Sequence, residues 1–151
     1  RPFPHVVALD PPAHAHLDAL LRAGRADEWT HMAWGTPELR FSQQVHEQEY
    51  GLRASLAALY RTLRDRGGAE GEELEAVLRG DGSHQRSAQL AGRLLRVLTE
   101  LRLVSLDRDL PALTVPVSQR TTLESSAAFR AYEQRHEDGL RYLQSATARA
   151  A

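Results

Sequence analysis

The hydrophobic positions of the first fifty residues alternate between short apolar runs and helical spacing. Phe3 to Asp10 (FPHVVALD) is an apolar run with paired valines that stops at Pro11-Pro12, and it predicts a buried strand ending in a turn. From Ala13 to Ala23, Leu17, Leu20 and Leu21 recur at helical spacing, with Gly24 placed to cap the end. Trp29 to Trp34 predicts a second strand. Gly35, Thr36 and Pro37 then supply a turn, an N-cap and a first-turn proline for a helix from Pro37 to about Tyr50, with Phe41 and Val45 on one face. Strand, helix, strand, helix implies parallel pairing with a right-handed crossover. Parallel sheets are normally covered on both faces and have more than two strands. This half is therefore expected to be completed by strands upstream of Arg1 or by a hairpin later in the chain. Arginine in place of an initiator methionine favours the first, and with it a fragment of a longer protein.

The period becomes firmly helical from Leu52, where Leu52, Leu56, Leu59 and Leu63 form one stripe. Gly51 separates this helix from the preceding one and Gly67-Gly68 stops it. Glu72 to Arg79 predicts a short helix carrying Leu74, Val77 and Leu78, closed by Gly80-Asp81-Gly82. A third helix, His84 to Leu101 with Ser83 as N-cap, has Leu90, Leu94, Val97, Leu98 and Leu101 inward. Its other face collects Arg86, Gln89, Arg93, Arg96 and Glu100. Leu103 to Leu106 and Leu113 to Val117, joined by a turn at Asp107 to Pro111, predict a hairpin. Three helices and a hairpin are the winged-helix order. Thr121-Thr122-Leu123-Glu124 fits a capping box. It opens an amphipathic helix with Phe129, Tyr132, His136, Leu140 and Leu143 on one stripe, ending in a frayed tail from Ala146. Gly139 costs about 1 kcal/mol relative to alanine inside such a helix, which points to close packing there. The expected fold is a helix-rich mixed α/β domain: a βαβα segment over 1–50, a winged-helix-like unit over 51–120, and a helix over 121–151 docking back to make one compact domain.

Composition narrows the function. The chain has 151 residues, 42% hydrophobic and 26% charged, as soluble globular domains do. No apolar run is long enough for a membrane span and no leader is present. There is no cysteine, so disulfides, thiolate metal sites and cysteine nucleophiles are excluded, and a cytoplasmic setting is expected. A net charge of −1, from 19 basic and 20 acidic residues, provides no global field toward nucleic acid. Every basic residue is arginine, a planar fork suited to carboxylates and phosphates.

Catalytic patterns are missing. The sequence has neither a dinucleotide-binding nor a P-loop glycine pattern, no G-x-S-x-G elbow and no H-E-x-x-H. Asp10 stands where a first strand ends, the position at which open α/β sheets place ligands, but prolines follow it and not glycines. A small-molecule site at Asp10 is the third-ranked reading. His14 and His16, at i and i+2, are expected on different faces of a helix and solvated. His5 and His31 lie on the two strands and can approach one another. Neither a catalytic residue, nor a metal, nor a cofactor is expected in this chain.

Several phrases carry a resemblance: V-V-A-L-D-P-P at Val6 to Pro12, H-M-A-W-G at His31 to Gly35, L-A-A-L-Y-R-T-L-R at Leu56 to Arg64, and the long stretch from Leu123 to Leu143. The pattern resembles the C-terminal extension of the bacterial RecJ family, single-stranded-DNA-specific exonucleases of repair and recombination. The resemblance implies Mn²⁺/Mg²⁺-dependent 5′→3′ chemistry in upstream domains whose Asp-His-His motif this chain lacks. The appended domain is then an accessory module that docks partners, above all the acidic, apolar-ended tail of single-stranded-DNA-binding protein, with other repair proteins as further partners. An arginine fork beside an apolar groove complements such a tail. The candidate residues are Arg86, Arg93 and Arg96 on the third helix, with Arg61 and Arg64 on the leucine-stripe helix. The alternative is a winged-helix module that helps hold the DNA substrate through Arg86 and Arg93. Direct DNA binding is expected to be weak or absent, because the hairpin's Arg108 sits between Asp107 and Asp109.

Overall fold

A computed structural model describes residues 4–23, 29–82, 84–107, 109–116 and 120–150. Along the chain run β1 (His5–Ala8), α1 (Ala15–Arg22), β2 (Trp29–Met32), α2 (Thr36–Tyr50), α3 (Leu52–Arg66) and β3 (Gly68–Glu70). They are followed by α4 (Gly71–Arg79), α5 (Ala88–Glu100), β4 (Ser105–Asp107), β5 (Ala112–Thr114) and α6 (Ala127–Ala150). The chain divides into two compact units, residues 1–48 with 135–151, and residues 49–134. The expected caps Gly24 and Ser83, and Phe3, Arg108 and Val117, lie outside the described residues.

In the first unit β1 and β2 pair in parallel, His5 opposite Trp29 and Ala8 opposite Met32, as the strand–helix–strand pattern requires. The later hairpin does not complete this sheet, because β4 and β5 pair with β3 in a sheet of their own. The strand read as buried is open: residues alternate between faces, and His5, Val7, Trp29 and His31 share a face on which all four are exposed. On the other face Thr30 Oγ1 donates to the Leu21 carbonyl at 2.7 Å, tying α1 to the sheet. The inward stripe of α2 also differs from the expected one. Phe41 is 63% exposed and Val45 40%, whereas Leu39 and His46 are buried. The stripe at Leu39, Ser42, Gln43 and His46 is chosen by hydrogen bonding: Ser42 Oγ donates to the Pro11 carbonyl and Gln43 Nε2 to Thr147 Oγ1. Gly35, not Thr36, caps this helix, its N–H donating to Glu38 Oε2 at 2.8 Å.

The second unit has the order α3, β3, α4, α5, β4, β5, a winged-helix-like arrangement whose antiparallel sheet is ordered β3-β5-β4. Its core is the predicted leucine stripe of α3 with Leu90, Leu94, Val97 and Leu98 of α5, joined by Val104, Leu113 and Phe129. Strand β3 went unread in the sequence because Gly67-Gly68 reads only as a stop. Gly67, at φ +78°, closes α3 in the left-handed region. Gly68 then lies so close to β5 that a Cβ on it would stand 2.3 Å from the Leu113 carbonyl oxygen. Only glycine lets the strand pair there.

Helix α5 starts later than expected, at Ala88, with Ser87 as its cap: Ser87 Oγ accepts from the Leu90 N–H at 3.0 Å. The capping box at Thr121 forms instead a short 3₁₀ turn over Leu123–Ser125. Ser126 takes over as cap of α6, its Oγ accepting from the Phe129 N–H at 3.0 Å. Glu100, at the end of α5, accepts from both Ser126 Oγ (2.8 Å) and the Ala128 N–H (2.9 Å). Those two bonds hold its carboxyl below the usual carboxylate range, the Ala128 N–H contributing most.

Replacing Gly68 with alanine is expected to cost more than about 2 kcal/mol, because backbone must move at a positive φ. Leu94→Ala, at a fully buried site, is expected to cost about 2–5 kcal/mol. Phe41→Ser, by contrast, is expected to stay within about 0.5 kcal/mol. Urea denaturation of the three variants reads all three values.

Candidate protein-docking groove

Helices α4 and α5 leave an apolar groove between them, with a volume of about 990 Å³. Leu74, Leu78 and Leu95 line it together with Ala88, Ala91 and Gly92. Small side chains on α5 make the depression: where one face of a helix carries Ala88, Ala91 and Gly92, the neighbouring leucines are not covered. Both signs of charge line it: Glu72 and Glu75 along α4, and Arg79 at the end of that helix with Arg86 beside it.

Arg86 is the one candidate arginine that lines this groove. Its Nη1 donates to the Val77 and Leu78 carbonyls at 3.1 and 3.2 Å, so the guanidinium satisfies the open C-terminal end of α4. Gly80 at φ +79° accommodates it, since a Cβ there would be 3.0 Å from Nη1. Arg79 pairs with Glu75 one turn back.

The structure places the other four candidates elsewhere. Arg93 is clamped: its Nη1 bonds to the Glu49 carboxylate and to the Glu49 carbonyl (3.0 Å), and its guanidinium stacks 4.2 Å over the Tyr50 ring. Its side chain is only 16% exposed. Glu49 in turn accepts from Ser87 Oγ at 2.6 Å, joining the cap of α5 to the same cluster. Arg96 is exposed and lies 3.4 Å from Glu100. Arg61 and Arg64 are exposed on α3, Arg64 3.5 Å from Asp65. The turn of the wing is acidic, with Asp107 Oδ1 accepting from the Asp109 and Leu110 N–H groups.

The histidines gather more closely than their spacing implies. His14 precedes α1 and does not belong to it, so the i, i+2 argument fails, and its ring stacks on His16 with centroids 5.5 Å apart. His14 also meets His46 edge-on at 5.4 Å, and His46 stacks against His136 at 5.9 Å. His46 Nε2–H donates to the carbonyls of Arg135 and His136, and His136 Nε2 is 2.7 Å from Glu47. Gly139 is where it is because of His46: a Cβ would lie 2.2 Å from Nε2, the close packing expected of that glycine. His5 Nδ1 and His31 Nε2 do approach, to 2.9 Å. Among the described residues no three histidine or carboxylate side chains are placed to hold a metal ion.

The second unit thus combines a winged-helix-like fold with an apolar groove between α4 and α5. No protein-family model, curated protein or solved structure matches the chain. No helix among the described residues is long and apolar enough to cross a membrane.

Arg93→Ala strands Glu49 in a poorly solvated site and is expected to cost roughly 1–3 kcal/mol. Arg61→Ala is expected to change stability by less than about 0.5 kcal/mol; thermal melts of both separate a structural arginine from a surface one. Burial, first, and neighbouring cations push His14 and His46 below the ordinary histidine value, the Arg135 and His136 carbonyls and the carboxylates of Glu47 and Asp138 opposing. A base with a lowered folded pKa takes up its proton more readily when unfolded. Stability is then full above pH 6.5 and falls as pH drops from there through the folded values. His46→Gln is expected to flatten that acid slope in denaturation measured from pH 7.5 to 5.

Proposed function

We propose that this chain is a non-catalytic protein-docking module of a RecJ-like single-stranded-DNA exonuclease. Its α4–α5 groove takes an acidic peptide with apolar end residues, such as the tail of single-stranded-DNA-binding protein. The observation that supports this reading most is the groove itself, leucine-lined and about 990 Å³ in volume, with Arg79 and Arg86 at one end. Apolar residues of the peptide bury against Leu74, Leu78 and Leu95, where each well-covered side chain contributes about 1.5–3 kcal/mol of gross burial. Its carboxylates face Arg86, since Arg79 is already paired with Glu75, and the Glu72 end repels them, which sets the direction of the peptide. The divalent metal of the parent nuclease belongs to other domains in this reading, since the sequence has no Asp-His-His motif.

The competing reading, a winged helix holding DNA, needs cations on the wing and on α5. The carboxylates of Asp107 and Asp109 and the engagement of Arg93 with Glu49 argue against it.

Fluorescence anisotropy with a labelled acidic tail peptide and a labelled single-stranded oligonucleotide, at two salt concentrations, tests the choice. Micromolar binding of the peptide and negligible binding of the oligonucleotide are expected. Gly92 offers a blocking variant, because a Cβ there meets nothing within 4 Å. Gly92→Leu is expected to keep or raise stability, by up to about 1 kcal/mol, while weakening the peptide at least tenfold (about 1.4 kcal/mol). Oligonucleotide binding with a steep salt dependence, and none of the peptide, overturns the docking reading.

A further inference from the structure

Helix α1 of the first unit is held by a few polar ties and not by a packed face, since none of its side chains is buried. Near its end Thr30 Oγ1 donates to the Leu21 carbonyl, and the Tyr142 hydroxyl of α6 bonds the Asp18 carboxylate. Its start depends on His14. The His14 carbonyl accepts the first bonds of the helix, from the Leu17 and Asp18 N–H groups at 3.1 and 3.2 Å. The His14 side chain makes no cap bond, so its ring is left to fix the residue in place. That ring meets His46 edge-on at 5.4 Å and stacks on His16 at 5.5 Å.

His46 is the seat of this contact. It is 4% exposed and, with Ser126, one of two buried polar side chains among the described residues. Its Nε2–H is committed to the Arg135 and His136 carbonyls, and Gly139 leaves the room that its ring takes. His136 stacks on it from α6 at 5.9 Å, and the charges of Arg135 and Glu47 act on it. His14 in turn is within reach of the charges of Arg135 and Asp138. Both carboxylates are already engaged: Glu47 lies 2.7 Å from His136 Nε2, and Asp138 lies 3.0 Å from Arg141. A proton on His14 or His46 therefore adds a cation beside Arg135 and further imidazoles, where the facing carboxylates are committed.

We infer that the His14–His46 contact is a pH-sensitive latch: with both rings neutral it seats the start of α1 against α2 and α6, and on their protonation in mildly acidic solution that end of the helix lifts away. Burial above all holds both imidazoles below the ordinary histidine value of 6.5. Rings that accept a proton more readily once released favour the released state as pH falls below that value. Thr30 has no ionisable group, and the Tyr142 phenol, pushed up by burial first, keeps its proton. Those ties hold, so the motion is a local opening within a folded unit. A helix with no buried side chain is the kind of element that opens locally. The latch is independent of the docking groove and of what binds there.

Amide exchange of the whole chain, followed by NMR at pH 7.5 and 5.5, tests the inference, each rate being divided by that of an unstructured chain at the same pH. Leu17 and Asp18, whose N–H groups bond to His14, are expected to lose protection at least about tenfold at the lower pH. Amides in the middle of α2 and α6 are expected to keep theirs. His14→Phe retains a ring edge against His46 but takes no proton, and is expected to leave Leu17 and Asp18 protected at both pH values. His14→Ala is expected to expose them at both. His14 is only half-buried, so both variants are expected to fold. Three results overturn the proposal: equal protection of Leu17 and Asp18 at the two pH values, loss of protection in α2 and α6 together with them, or the same pH-dependent loss in His14→Phe.

Discussion

The second unit depends on the contact between the leucine stripe of α3 and the inner face of α5. Leu56, Leu59, Leu63, Leu94, Val97 and Leu98 are each exposed by 2% or less, so this layer excludes water along the whole contact. Everything else in the unit is placed from it. Gly67 and Gly68 turn the chain out of α3 directly into the sheet, and the short approach to Leu113 fixes β5 and thereby the wing. The end of α5 brings Glu100 to the first turn of α6, where a carboxylate bonding a helix N-terminus is favoured by both hydrogen bonding and the helix dipole. With the inner face of α5 committed to the core, what remains near its start is Ala88, Ala91 and Gly92. The groove is a by-product of the same helix, carrying leucines inward and small residues outward.

The first unit is organised by another rule. Leu39 and Leu143 are buried, but Val7, Leu20, Trp29 and Phe41 are all more than half exposed. What holds α2 is a stripe of hydrogen-bonding residues, ending in a buried histidine that rests on a glycine. Hydrophobic periodicity could not find this arrangement, because the pattern it looks for points the other way. Phe41 and Val45 make the more apolar face of the helix, and the structure leaves that face to solvent. The strands themselves, by contrast, were legible from the paired valines and the Pro-Pro stop, and their parallel pairing followed from the intervening helix.

Legibility follows how local the cause is. The core of the second unit could be read almost residue by residue, since a leucine repeat reports a buried face wherever that face packs. Caps were readable only in type. Ser87 and Ser126 do the work assigned to Ser83 and Thr121, because a cap is decided by which serine has a free helix N–H and a partner nearby, and Glu49 and Glu100 arrive from distant parts of the sequence. Strand β3 was hidden for the same reason: three residues with two glycines show no pattern until β5 lies beside them. The arginines were the hardest. Five were candidates for a partner, but Arg93 is held by Glu49 and Tyr50, and Arg86 completes a helix end.

A guanidinium has five donors in a fixed fork, so one group can satisfy a helix terminus and still present N–H bonds outward. A chain with no lysine therefore has structural and recognition roles coinciding on the same side chains. Arg86 shows this at the groove, where it closes α4 and also makes that end of the groove cationic. Such a dual role has a consequence for reading function from charge. The number of partners an arginine already has does not decide whether it can bind a ligand; what decides is whether its remaining N–H bonds point at a cavity that also offers apolar cover. By that criterion Arg86, at the edge of the α4–α5 groove, differs from Arg93, which is enclosed by Glu49 and the Tyr50 ring.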